Sequence, residues 1–338
     1  MQRKAAGWAV GLMVVSLLAS AGEAVPPKRM APEPAVVDLE AMVVRGVQPG
    51  PGLWKVSKGD HLLWILGTQS PLPKRLQWQS TEVETIIGQS QQVLMAPTIE
   101  LDVGMGFFGK LTLLPSAMKA MKNEDGRELR EVLPPDLYAR WSVVKARYIG
   151  SDRSVERKRP MLAAGELYQA ALKRSGLARA PVIWSVVERA ARRAGIKPTP
   201  TALDYKIADP RQVLKEFRAG GMNDIECFRS ILVTVERDLP TMVERANAWS
   251  VGDLEALRQL PREDPQAACM NAVASSGAAK KRGIDDLERR MRDHWLRIAT
   301  AALQRHRSTF AVLSISRLTA PDGYLARLQA LGYDVEAP

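Results

Sequence analysis

Apolar, strand-forming runs stand near both ends of this chain, and the span between them reads as helix. Leu53-Trp54-Lys55-Val56-Ser57 and Leu62-Leu63-Trp64-Ile65-Leu66 flank Lys58-Gly59-Asp60-His61. Two aromatic and branched runs around a Gly-Asp centre predict a β-hairpin. Gly67-Thr68 ends the second strand, and Pro71 and Pro73 forbid its continuation. Val93-Leu94-Met95-Ala96 and residues 99–103 read as further strands. Near the other end, Phe310-Ala311-Val312-Leu313-Ser314-Ile315 reads as a buried strand and 333–336 as a last short one. A strand cannot bury its face alone. The two ends are therefore expected to share one mixed sheet, with a mostly helical middle inserted over about 125–280, giving an α/β fold.

Helical spacing fills that middle. It predicts helices over 134–148, 159–175, 181–195, 210–219 and 253–260, and a further helix over 80–91 lies before it, among the N-terminal strands. A long helix is expected over 224–248, kinked or broken at Pro240. Residues 198–209 read as extended. Gly104-Met105-Gly106-Phe107-Phe108-Gly109 reads as a tightly packed apolar loop, covered by a helix over 111–121. The clearest helix is 284–306, where Ile284, Leu287, Met291, Trp295, Ile298 and Ala302 make one apolar stripe. A helix over 322–331 follows, capped by Gly332.

The start of the chain reads as an export signal. Arg3 and Lys4 precede an uncharged, mostly apolar run from Ala5 to Ala21. Gly22-Glu23-Ala24 then fits a small-x-small cleavage pattern, with Ala19-Ser20-Ala21 as a second option. The run is shorter than the ~20 residues that span hydrocarbon, so residues 1–24 are expected to be a cleaved signal peptide rather than an anchor. Residues 25–45, with Pro26, Pro27, Pro32 and Pro34, read as an extended tether, and 46–338 as one domain. The expected location is the periplasm or the exterior, with membrane contact only through the signal. Cys227 and Cys269 are the chain's two cysteines. In an oxidising compartment such a pair is a disulfide candidate, and two buried thiols are the alternative.

Net charge is +11, but Lys and Arg are interspersed with acids, and the densest run is only Lys280-Lys281-Arg282. No base-reading or stacking stripe accompanies it, so nucleic acid is not an expected partner. Anionic polysaccharide or lipid suits a basic exported domain better. Chemistry-bearing motifs are scarce. The three His do not form a ligand face: His61 sits in the hairpin turn, and His294 and His306 lie roughly 120° apart on one helix. There is no HExxH, GxSxG or CxxC, and Gly104, Gly106 and Gly109 lack the Lys-Ser/Thr of a phosphate loop.

Three segments do carry a resemblance. Leu53-Trp54-Lys55-Val56 is followed by Leu63-Trp64-Ile65-Leu66-Gly67-Thr68 and Pro71-Leu72-Pro73; Trp249 precedes Gly252-Asp253-Leu254. Trp295 leads into Phe310-Ala311-Val312, Arg317-Leu318, Pro321-Asp322-Gly323, Leu328, Gly332-Tyr333 and Val335. This ordered set resembles the TraB/GumN (TraB/PrgY/Tiki-like) family. The resemblance implies a metal-dependent hydrolase, in some members a protease. Two Gly-x-x-His motifs and a Glu after the next strand are the implied ligands. Here Gly67-Thr68-Gln69 leads to Ser70 at the first His position, and Ser314-Ile315-Ser316 to Arg317 at the second. The Glu position falls on Ala96 or, with a shifted alignment, on Glu100; the family's Arg-Asn helix motif appears as Arg292-Asp293.

Ser is a weak ligand and Arg a permanent cation without a lone pair to give. The expectation is therefore no family-type metal, no cofactor, and a binding or interaction module for an unidentified envelope ligand or protein. Arg317 and Arg292 are the candidate anion-binding groups, or Arg317 is paired to Asp322 or Asp293. The alternative is an active, peptidase-like hydrolase with a rearranged site drawn from Asp60, His61, Ser70, Glu100 and Asp102, including a Ser70–His61 nucleophile pair.

Overall fold

A computed structural model describes residues 49–338 apart from 75, 180–181, 219–223, 261–268, 270–273, 275–279, 281 and 285. The expected signal peptide and tether, and Lys281 of the basic run, lie outside the described residues. Strand β1 (Leu53–Lys58) and β2 (His61–Thr68) form the hairpin. Lys58 pairs with His61, which leaves Gly59-Asp60 as a two-residue turn, with Gly59 at φ +62°. β3 (Leu72–Pro73), β4 (Gln92–Leu94) and β5 (Ile99–Asp102) follow; β6 is Leu177–Ala178, β7 Leu203–Lys206, β8 Ser308–Ser314 and β9 Asp334–Glu336.

The ends of the chain do share a sheet. Its order is β4-β8-β2-β1-β9. β8 lies parallel to both β2 and β4, while β1 is antiparallel to β2 and β9. Thr309 to Leu313 are buried without a break, as in a strand covered on both faces. The strands of the mixed sheet thus come from opposite ends of the sequence, as the apolar runs predict. β5 is a strand as expected but stays outside this sheet. It runs parallel to β7, joined to the end of β4 by a bridge between Leu94 and Thr199.

The helices are α1 (Thr81–Gln89), α2 (Phe107–Ala120), α3 (Leu129–Val132), α4 (Pro135–Tyr148), α5 (Pro160–Arg174), α6 (Val182–Arg193) and α7 (Pro210–Arg218). They continue with α8 (Asp224–Val233), α9 (Leu239–Val251), α10 (Leu254–Gln259), α11 (Leu287–Arg305), α12 (Ile315–Leu318) and α13 (Tyr324–Ala330). The long helix expected through Pro240 is interrupted by a π turn over Thr234–Asp238. Pro240 then sits in the first turn of α9, directly after that π turn. α11 buries Leu287, Met291, Trp295 and Ala302 of the stripe its spacing predicts; Ile298 is half-buried, Ile284 lies before the helix, and Leu296, Ala299 and Leu303 are buried as well. One expectation fails. Phe107 and Phe108 are not a packed loop: they begin α2 and point outward, 76% and 80% exposed. Among the described residues of that helix only Leu113 and Ala120 are buried, because these lie on its opposite side. Among the described residues no helix is long and apolar enough to cross a membrane.

Polar pins hold the helical middle. Trp141 stacks at 5.2 Å on Phe228 and donates to Glu156 Oε1 at 3.2 Å. Arg159 donates to Asp224 at 2.5 Å, both side chains more than nine-tenths buried. Burial pushes the Asp224 carboxyl up, and Arg159 pulls against that shift. Cys227 of α8 is bonded to Cys269, with Cα atoms 4.4 Å apart.

The bridge closes 42 residues. In the chain-entropy account, opening it lowers stability by roughly 4 kcal/mol. Urea unfolding of the Cys227→Ala/Cys269→Ala double variant against the oxidised chain measures this; equal midpoints would show that the bridge does not tie down the helical layer.

Candidate functional site

Ligands of open α/β sheets settle outside the carboxyl ends of the parallel strands. Here three such ends lie side by side: Leu94 of β4, Ser314 of β8 and Thr68 of β2. Thr68 pairs with Ser314, so Gly67-Thr68-Gln69-Ser70 and Ser314-Ile315-Ser316-Arg317 leave the sheet at one level. Thr68 Oγ1 donates to the Leu313 carbonyl at 3.2 Å, and the Ser314 and Ser316 hydroxyls lie 2.9 Å apart. Ser70 is exposed. Leu94 pairs with Ala311, which carries Ala96 to the level of Leu313 and Gly67. Glu100 sits four residues farther along, exposed on β5 and paired in register with Asp204 of β7. Of the two residues considered for the acidic position, Ala96 is therefore the one at the strand ends.

Gly67 is fixed by packing. A Cβ there would lie 2.5 Å from the Trp54 ring and 2.6 Å from Ile315 Cγ1. The buried Trp249 indole donates to the Gly67 carbonyl at 2.8 Å. Trp249 belongs to α9, which Gly252 ends in a left-handed conformation at φ +76°. Gly50 N–H donates to Ser250 O at 2.8 Å and holds Gly50 against that helix end. Asp253 then caps α10, its Oδ1 accepting from the Ala256 N–H at 2.9 Å. Trp249, Gly252 and Asp253 of the Trp-x-x-Gly-Asp segment thus each have a mechanical task beside the first motif.

Arg245 is a site residue the sequence reading missed. It is buried, donates to the carbonyls of Leu257 and Leu260 at 3.1 Å each, and reaches Gln69 Oε1 at 3.4 Å. Its signal was its place four residues before Trp249, on the same helix face. Trp54, Arg245, Ile315 and Thr319 line a cleft of 20 Å³ beside the strand ends, room for about one water. A larger open groove of 540 Å³, flanked by Tyr148, Glu166 and Arg174, lies on the helical layer and contains none of the motif residues.

A charged cluster adjoins the strand ends. Trp295 Nε1 donates to the Met95 carbonyl at 3.2 Å, which seats α11 beside the end of β4. On the same helix, Glu288 faces Arg317 at 3.4 Å, and Arg292 donates to Asp322 at 2.7 Å. Arg317 is thus paired, but to Glu288 rather than to Asp322 or Asp293. Asp322 is taken by Arg292, and Asp293 lies 3.9 Å from the Arg292 Nε. The Arg317 side chain is 43% exposed; that of Arg292 is 15% exposed, and its Nε has no hydrogen-bond partner among the described residues. Tyr324 packs edge-on against Trp295 at 5.0 Å. Burial, the larger effect, pushes its phenol up to about 12 against the pull of Arg317 and Arg292.

The other suspected residues do not join this edge. His61 opens β2 and Ser70 lies beyond its far end, more than ~20 Å away at about 3.3 Å per residue. His61 Nδ1 instead lies 2.8 Å from the His306 carbonyl, with Asp60 3.5 Å from its Nε2. The Ser70–His61 pair is therefore ruled out. Asp102 accepts from the Gly104 N–H at 2.8 Å and turns the chain toward α2. Among the described residues, no group of three or more His, Cys, Asp or Glu is placed to hold a metal ion.

Residues 52–337 match the TraB/PrgY/gumN family. Comparison with curated proteins and with solved structures gives no match.

Two outcomes test this geometry. Gly67→Ala forces a methyl into the Trp54 and Ile315 contacts, and urea unfolding should fall by about 1–3 kcal/mol. Tyr324 holds its proton more tightly folded than unfolded, so its contribution is complete below about pH 10 and is lost as pH rises through about 12. At ~1.4 kcal/mol per unit, the loss is roughly 2–3 kcal/mol, and Tyr324→Phe should lack that alkaline limb when stability is followed from pH 9 to 12.

Proposed function

The chain belongs to the TraB/PrgY/gumN family, and from that premise we propose that it is an exported, envelope-facing binding module that takes an anionic ligand at its strand ends instead of running metal-dependent hydrolysis. The observation that carries this reading is Arg317, a half-exposed guanidinium just past the end of β8, the strand paired with β2. The donor set around it does not fit a divalent ion. The positions at the three strand ends hold Ser70, Arg317 and Ala96. An open catalytic site takes about three protein ligands. A hydroxyl is a weak one and a methyl none. A cation at 4 Å adds repulsion of about 4 kcal/mol per unit charge pair at an effective dielectric near 20.

The same edge suits a carboxylate. A guanidinium offers two parallel N–H donors to one. The Glu288 contact is between exposed groups, a class worth only about 0–1 kcal/mol, so a ligand carboxylate can displace it. Arg292 stands behind with an N–H still to give. The 20 Å³ cleft is too small for an enclosed substrate, which favours a polymer lying across the rim. The Cys227–Cys269 bridge is consistent with an oxidising compartment.

Binding of alginate, a carboxylated polysaccharide, provides the test. At low salt the chain should bind it, Arg317→Glu should weaken binding at least tenfold, and raising the salt should weaken the parent in the same direction. One tightly held transition metal per chain, together with peptide hydrolysis, would overturn the reading.

A further inference from the structure

Helix α2 wears its apolar side outward. Phe107, Leu111, Leu114, Met118 and Met121 recur every three or four residues and are all exposed, as is Phe108. The two Phe rings meet edge to face at 5.7 Å, at the helix's leading end. The buried residues, Leu113 and Ala120, lie on the other side, toward α7. Isolated exposed apolar residues need no explanation, but five in line along one face of a helix and its C-cap do. Leu101, also exposed, stands just before this helix on β5.

Charge selects the occupant of this face. Residues 107–122 contain no Asp or Glu. Exposed Lys119 and Lys122 flank the apolar stripe at its trailing end. On α7, which packs beneath, Arg211 reaches Thr112 at 3.5 Å and Lys215 is exposed, while Glu216 is engaged by Arg282 at 2.6 Å. Glu124 and Asp125 come only in the turn after the helix. A single-sided apolar helix edged with lysines matches the boundary between acyl chains and anionic headgroups. We propose that α2 is a membrane-surface docking helix, lying flat on a bilayer that contains anionic phospholipid with Phe107 and Phe108 inserted. This proposal is independent of the strand-end site.

The test uses the full chain, disulfide intact, with Phe108→Cys carrying a nitrobenzoxadiazole label. The label reports only on this helix, so binding through the apolar run near residue 10 does not register. Phosphatidylglycerol–phosphatidylcholine vesicles should shift its emission to the blue and raise it. Phosphatidylcholine alone should require at least tenfold more lipid, since each basic residue near an anionic surface strengthens binding by roughly fivefold. Leu111→Asp/Met118→Asp in the labelled chain should abolish the response without changing the unfolding midpoint, because both side chains are exposed. No emission change with either vesicle, or a response the double Asp variant retains, overturns the proposal. So does a lipid-independent response that grows with protein concentration, which would assign the face to a second copy.

Discussion

The hydrogen bond from the Trp249 indole to the Gly67 carbonyl is the joint on which the rest of the architecture turns. Gly67 closes β2, Trp54 packs on it from β1, and Ile315 from the turn after β8. Trp249 arrives from the helical middle. Four segments separated by nearly the whole sequence thus meet at one peptide unit. A buried carbonyl left without a donor costs about 1–3 kcal/mol, so the bond is asymmetric: its gain is modest, its loss is not. The glycine is needed because the two apolar neighbours have already taken the volume a side chain would occupy.

From that joint the site follows. With β2 and β8 held in parallel register, the segments leaving Thr68 and Ser314 must emerge together. Arg245, one turn before Trp249, then braces both the end of α10 and Gln69. Trp295 does for β4 what Trp249 does for β2, donating to the Met95 carbonyl just beyond the strand end. Two indole N–H groups, each aimed at a backbone carbonyl at a strand end, therefore set where helices α9 and α11 sit relative to the sheet. The charged side chains those helices carry are placed as a consequence.

Much of this was legible in the sequence, and the failures have definite causes. The hairpin, the buried β8 and the stripe of α11 are local periodicities, and local patterns survive folding. The sharing of one sheet by the two ends followed from the need of each strand for a partner. The partner of Arg317 was not legible, because Glu288 is 29 positions away on a helix whose rotation only packing fixes. The choice between Ala96 and Glu100 needed the strand register, which the spacing of a single segment does not contain. Phe107 and Phe108 were misplaced for a different reason. Apolar character was equated with the core, whereas the three-to-four spacing that continues to Met121 describes a face and is silent about which way it points.

The mechanical and the chemical parts of the strand ends are carried by different residues. Gly67, Trp249, Gly252 and Asp253 hold backbone geometry through packing, a buried hydrogen bond, a left-handed helix end and a cap. Ser70 and Arg317 do not. Ser70 is exposed, and Arg317 reaches only an exposed Glu288. Substitution at such positions changes the surface without disturbing the joint beneath it, and surface changes away from buried networks usually cost less than about 0.5 kcal/mol. A fold whose framework is independent of its rim can therefore keep the framework while the side chains on the rim change. That separation is why family membership and the proposed absence of the family's chemistry are physically compatible in one chain.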